Sequence, residues 1–271
     1  MTTRKPTEHH NATRIRDGKR EPLDLELVAE EPLLIRVDGK PYSTVMRTPG
    51  DELAHAAGFC LGEGVIDSRL DIADIIFNER QDENEIDVQL NPERRELVPE
   101  VLNRKVFISQ TSCGICGKQL VEDLYQKLAP IESNFILELG RIGHCLDTLT
   151  EHQEIHKATR SAHAALVLDG NLEALAFAED VGRHNALDKA VGGCLMTDRL
   201  PDARILVLSS RVSYELVQKA ARARIPLIVS CSRPTAIAAE MAGALDIGLV
   251  FPAKGTDLLV TANESRVSFP R

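Results

Sequence analysis

Cys113 and Cys116, in the run Gln110-Thr-Ser-Cys-Gly-Ile-Cys-Gly-Lys118, are the residues of this chain whose type and spacing best suit covalent chemistry. Hydrophobic patterning places them between a strand over 105–109 and a helix on which Leu120, Leu124 and Leu128 recur every four residues. A helix start offers unpaired N–H groups and the positive end of the helix dipole. Both favour thiolate over thiol, and Lys118 adds a nearby cation. Gly114 and Gly117 remove side-chain bulk, so the sulfurs can approach a large partner. Three chemistries use such a pair: a dithiol redox couple, half of a zinc site, or a sulfur relay. Zinc would need two more ligands, from His144 with Cys145 or from His152 and His156 one helical turn apart, and there is no second Cys-x-x-Cys. Zinc deaminases need His-x-Glu followed downstream by Pro-Cys-x-x-Cys. His152-Gln153-Glu154 meets the first half, but the Cys-x-x-Cys lies upstream and follows Ser112, which argues against deamination.

A second group of residues suits an anion. Ser209-Ser210-Arg211 and Ser230-Cys231-Ser232-Arg233 each stand just past a strand and just before a helix, in two echoing units, LVLSSRVSYELVQKAA and LIVSCSRPTAIAAEMA. Open α/β sheets bind ligands at such places, where helix N–H groups, hydroxyls and an arginine suit phosphate. Helix capping by Ser213 and Thr235 accounts for part of the pattern with no ligand at all. Glu179-Asp-Val-Gly-Arg-His-Asn-Ala-Leu-Asp-Lys189 runs from a strand into a helix with Asp180 as its expected cap. Its density of charge makes Arg183, His184 and Asp188 candidates for lining a pocket. His163 reads equally as a core histidine or a site residue. Phe251-Pro252-Ala253-Lys254-Gly255-Thr256 reads as a tight turn between two apolar strands.

The elements that must position these groups divide the chain in two. From Leu23 to Met46 short apolar runs alternate with Pro22, Pro32 and Asp38-Gly39, the punctuation of strands and hairpins. Asp51 then opens a helix with Leu53, Ala56, Ala57, Cys60 and Leu61 on its apolar stripe. Two strands, Ile72–Phe77 and Glu85–Leu90, precede a polar connection through Glu100. Beyond Ser161 the rhythm is α/β: strands at Ala164–Leu168, Ile205–Leu208, Leu227–Ser230 and Ile247–Phe251, with helices near 183–195, 213–223 and 235–244. The expected organisation is a mobile basic tail over 1–20, a β-rich portion over 21–110, a Cys-x-x-Cys loop with helical connection over 111–160, and an α/β domain over 161–271.

Bulk properties set the class. The 271 residues carry six scattered cysteines, too few for a disulfide scaffold, and neither an export signal nor a membrane-length apolar run. These predict a soluble, cytoplasmic protein with free thiols. A net charge of -9 argues against general nucleic-acid binding.

From Glu31 onward the chain resembles the formate dehydrogenase accessory sulfurtransferases, the FdhD family. The resemblance rests on Glu30-Glu31-Pro32-Leu33, Met46-Arg-Thr-Pro-Gly-Asp51, Ser112-Cys-Gly-Ile-Cys-Gly-Lys118, the run from Glu179 to Lys189, and Ser210-Arg-Val-Ser-Tyr-Glu215, in that order. It implies a cytidine-deaminase-like layered sheet in the second half of an α/β (α+β overall) chain, and a homodimer. It also implies a carrier that takes sulfur from a cysteine desulfurase as a persulfide on Cys113, assisted by Cys116. The sulfur passes to the bis-guanine-dinucleotide molybdenum cofactor before that cofactor enters formate dehydrogenase. The cofactor would meet Phe251 to Thr256, with Arg183, His184, Ser210, Arg211, Arg233 and His163 around it, and no metal would be held by the protein directly.

Overall fold

The computed structural model describes residues 5–78, 84–98, 128–255 and 257–269. Cys113 and Cys116, the strand expected over 105–109 and Thr256 lie outside the described residues.

The first half begins with β1 (Thr7–Arg16) and β2 (Lys19–Val28), a hairpin turning on Asp17 and Gly18, both at positive φ. A mobile tail was expected over 1–20. Residues 7–16 of that stretch pair with 19–28, since cross-strand pairing does not require the apolar burial whose absence suggested a tail. Next, β3 (Glu31–Val37) and β4 (Lys40–Arg47) turn on Asp38-Gly39, and α1 (Glu52–Gly62) follows. β5 (Ile72–Asn78) and β6 (Glu85–Leu90) complete a four-stranded sheet in the order β4-β3-β6-β5. The connection after Leu90 is not plain loop but a short helix, α2 (Pro92–Leu97), whose N-cap Asn91 accepts from the Arg94 N–H at 2.7 Å. Asp51 occupies the N-cap of α1 without capping it. Its φ of 58° is not the extended geometry from which a side chain reaches the first N–H groups.

The second half opens with β7 (Leu137–Glu138), α3 (Ile142–His152) and α4 (Glu154–Thr159). Then come β8 (His163–Leu168), β9 (Ala174–Asp180), α5 (Arg183–Met196), β10 (Ile205–Leu208), α6 (Tyr214–Arg222), β11 (Leu227–Ser230) and α7 (Ala236–Ala244). β12 (Gly248–Pro252), β13 (Leu258–Ala262) and β14 (Val267–Ser268) close the chain. Six of these strands make one sheet in the order β13-β12-β11-β10-β8-β9. Its central strands are apolar without interruption because both faces are covered. Ala165, Val167, Leu206 and Leu208 face the core shared with α1, α5, α6 and α7, while Ala164, Leu166, Ile205 and Val207 face Ile142, Cys145 and Leu149 of α3. No helix among the described residues is long and apolar enough to cross a membrane.

The two halves meet along α1 and α5. A methyl group at Gly192 would stand 1.8 Å from the Ala54 carbonyl oxygen, and one at Gly58 1.9 Å from that of Asp188. The helices therefore touch backbone to backbone. Beside this crossing lies a buried polar network. Asp180, expected as a helix cap, sits two residues before the N-cap Gly182 and is fully buried. It accepts from the N–H groups of Thr48 (3.0 Å) and Gly182 (2.8 Å) and from the Asn185 side chain (2.9 Å), and it pairs with Lys189 (2.8 Å). Lys189 and Asn185 also donate to the carbonyls of Thr48 and Met46, both at 2.7 Å. The segments around Met46–Asp51 and Glu179–Lys189, separate in sequence, are thus each other's partners.

Candidate functional site

Strands β10, β11 and β12 are parallel, β8 is antiparallel to β10, and β9 is antiparallel to β8. The loops leaving β9, β10, β11 and β12 therefore open on the same sheet edge as the residue that starts β8. That edge collects His163, Arg183, His184, Ser210, Arg211, Arg233 and the turn 251–255, residues spread over ninety positions of sequence. Such an edge is where open α/β sheets take ligands.

His184 and Glu215 are the second residues of α5 and α6, so each is held by a helix start. The His184 Nε2 lies 2.8 Å from a Glu215 oxygen and 3.4 Å from the Ser213 hydroxyl. The hydrogen bond from His184 holds the Glu215 carboxyl below the usual carboxylate range, against a smaller opposing effect of burial. His163 is half-buried. Burial first, then the positive charge of Arg183, lowers its pKa below the usual imidazole range. The Arg183 Nε is buried without a hydrogen-bond partner among the described residues. Arg211, Arg233 and Lys254 are exposed and make no ion pair among the described residues. Lys254 rides a turn closed by Ala253 N–H to the Asp257 carbonyl (2.7 Å), with Gly255 at φ 72°. The edge thus presents cations that no carboxylate among the described residues neutralises.

Not every residue singled out from the sequence opens onto this edge. Ser210 is buried and its hydroxyl is spent on the Arg211 carbonyl at 3.1 Å. Phe251 is buried too. Asp188 is turned fully inward. Burial raises its pKa to about 6, against the pull of Lys219, whose ammonium lies 2.7 and 2.8 Å from its two oxygens. Thr235 caps α7 as expected, accepting from the Ala238 N–H, whereas Ser213 stands at the N-cap of α6 without a cap bond. Glu215 and Thr48 were missed. Glu215 lies four residues past Arg211, one helical turn on the same loop-helix unit, a signal available in the sequence; nothing there pairs Thr48 with Asp180.

The described cysteines are poor nucleophiles. Burial pushes the thiol of Cys145 up to about 11 and that of Cys194 up to about 12. Cys60 is fully buried in α1. Cys231 stands at the sheet edge, and partial desolvation raises its thiol pKa as well. The zinc ligands considered above are also dispersed. His152 ends α3 and His156 lies in α4, with the helix broken at Gln153 (ψ 83°), and their Nδ1 atoms contact the Thr148 and Ala162 carbonyls. Among the described residues no group of three or more His, Cys, Asp or Glu is placed to hold a metal.

Comparison with known proteins identifies the family and the fold. The chain is 35% identical over 272 residues to the sulfur carrier protein FdhD of Streptomyces coelicolor, covering 97% of this chain and 96% of the relative. It is 35% identical over 254 residues to that of Mycobacterium tuberculosis, covering 89% and 91%. A crystal structure described as a formate dehydrogenase accessory protein from Desulfotalea psychrophila superposes with a TM-score of 0.77 at 22% identity, over 97% of this chain and 99% of the other. It shares the fold. Residues 28–268 match the model of the FdhD/NarQ family, and the chain belongs to that family.

Proposed function

We propose that the chain is a cytoplasmic sulfur carrier for formate dehydrogenase maturation, acting as a homodimer, with Cys113 as the nucleophile. The observation that carries this reading is the contrast among the cysteines: Cys145, Cys194 and Cys231 all have thiols raised by burial, and Cys60 is buried in the core. Productive thiol chemistry needs the opposite environment, so it falls to the Cys-x-x-Cys pair. The relatives' name, sulfur carrier protein, supports the sulfur-carrying role.

In this reading the Cys113 thiolate attacks the terminal sulfur of a cysteine desulfurase persulfide. The desulfurase S–S bond breaks, its thiolate leaves, and a new S–S bond holds the sulfane sulfur on Cys113. Attack by the Cys116 thiolate on the Cys113 sulfur then releases hydrosulfide and leaves a Cys113–Cys116 disulfide, so the dithiol supplies the two electrons. A dithiol reductant resets the pair. The substrate is the bis-guanine-dinucleotide molybdenum cofactor. Its phosphates suit the unneutralised Arg211, Arg233 and Lys254 and the buried, unpartnered Arg183 Nε at the sheet edge.

Incubation with a cysteine desulfurase and cysteine is expected to add one sulfur atom to the peptide containing Cys113, read by mass spectrometry, on protein free of stoichiometric zinc. A loop that cycles between dithiol and disulfide while accepting no sulfur would identify a redox couple instead. Calorimetry with guanosine diphosphate is expected to give saturable binding, weakened about tenfold or more when Arg211, Arg233 and Lys254 are changed to alanine. Unchanged affinity in that variant would move the nucleotide off this edge.

A further inference from the structure

On the β1–β2 hairpin β2 alternates apolar and acidic residues, and its apolar face lies beside Glu8, His10 and Ala12 of β1. In Leu23-Asp-Leu-Glu-Leu27 the leucines share a face, and Asp24 and Glu26 share the other. The acidic face is satisfied within the hairpin: Thr7 donates to Glu26 at 2.6 Å and Asp24 meets His9 at 2.9 Å. The leucine face is not. β2 runs beside α4, yet Leu25 and Leu27 remain 40% and 37% exposed. A two-stranded ribbon is marginal on its own and gains from cover on its apolar side.

The charges say what covers it. At the tip Arg14, Arg16, Lys19 and Arg20 are all exposed, and none has an ion pair among the described residues, in a chain of net charge -9. At the root, Pro6 borders a groove of about 630 Å³ that also includes Asp51, Glu151, Glu154, Ile155 and Phe177. Those three carboxylates are exposed and likewise form no ion pair among the described residues. Tip and groove are complementary, but they cannot meet within one molecule. Ten residues of extended strand, each rising about 3.4 Å, put Arg16 roughly 30 Å from Pro6. Two hairpins laid antiparallel across a two-fold axis bring each tip to the other's root and stack their leucine faces, a self-complementary arrangement.

We infer that the β1–β2 hairpin is an exchange arm: its leucine face packs on that of a second copy of this chain, and its basic tip enters the copy's acidic root groove. The inference rests on the two-copy assembly proposed above and supplies its interface.

Sedimentation of the full chain and a charge-swap pair tests it. Wild type is expected to be dimeric at micromolar concentration and to dissociate more readily in high salt. A tip variant, Arg14→Glu with Arg16→Glu and Lys19→Glu, and a groove variant, Glu151→Lys with Glu154→Lys, should each self-associate about tenfold or more weakly. All five positions are exposed, so circular dichroism should be unchanged. Mixing the two variants equally should restore dimers, because each tip then meets an oppositely charged groove in both directions. Leu25→Ser with Leu27→Ser, a second variant independent of charge, should also weaken the dimer. If both charge variants dimerise as wild type does, or the mixture recovers nothing, the arm contact is wrong and the homodimer stands on another surface. A wild-type chain that stays monomeric in low salt removes the homodimer itself.

Discussion

Cells whose only copy of this chain carries Cys113→Ala are expected to have no formate dehydrogenase activity, while the purified variant keeps the thermal midpoint of the wild type. The expectation follows from the division of labour among the cysteines. Cys60 is wholly buried on α1, and a small buried thiol acts as a packing group rather than a reagent. Cys60→Ala should therefore do the reverse, lowering stability by about 1 kcal/mol and leaving sulfur transfer intact. Measuring both variants for midpoint and for activity in complemented cells separates chemistry from folding. An active Cys113→Ala strain would end the persulfide mechanism proposed here.

Gly192→Ala should be among the most damaging single substitutions in the fold. In an ordinary helix, replacing glycine by alanine stabilises by about 1 kcal/mol, because alanine costs less backbone entropy. Here the added methyl would lie 1.8 Å from the Ala54 carbonyl oxygen, against an ordinary contact of about 3.5 Å, and the obstacle is backbone that no rotamer change can clear. The helices must part, which disturbs the Lys189–Asp180 and Lys219–Asp188 pairs beside the crossing. Overpacking of this kind costs about 1–3 kcal/mol before any loss of buried ion pairs, and breaking a buried pair adds several more. A urea midpoint well below wild type, or an insoluble product, is the expected result. A midpoint raised by the helix-propensity gain would refute the close crossing.

The second half of the fold was legible because its strands are buried on both faces and its helices carry regular apolar stripes. Strands at 205–208 and 227–230 appear where the apolar runs place them, and the helices over 183–196 and 236–244 agree to within a residue or two. The leader failed for the opposite reason. A ribbon exposed on most of its surface leaves no burial pattern across β1, and only Leu23, Leu25 and Leu27 alternate. The sheet edge was legible too, since Arg211 and Arg233 follow strands that the eye can find. The inward turn of Asp188 was not, because only the fold brings Lys219, on another helix, within 2.8 Å of it. Nor was the failure of Asp51 as a cap, which depends on a backbone angle rather than on residue type.

The fourfold engagement of Asp180 bears on how this protein can be dissected. Three of its four partners, Gly182, Asn185 and Lys189, belong to the N-cap and first two turns of α5, but the Thr48 N–H comes from the other half of the chain. A fragment starting at residue 161 would keep the whole six-stranded sheet, yet Asp180, Asn185 and Lys189 would lose the backbone of Met46 and Thr48 and face water or one another. Arg183 and His184 stand on the very turn of helix that those bonds steady. The edge that gathers the cations is therefore not a portable module: transplanting it, or crystallising it alone with a nucleotide, requires carrying along α1 and the segment before it.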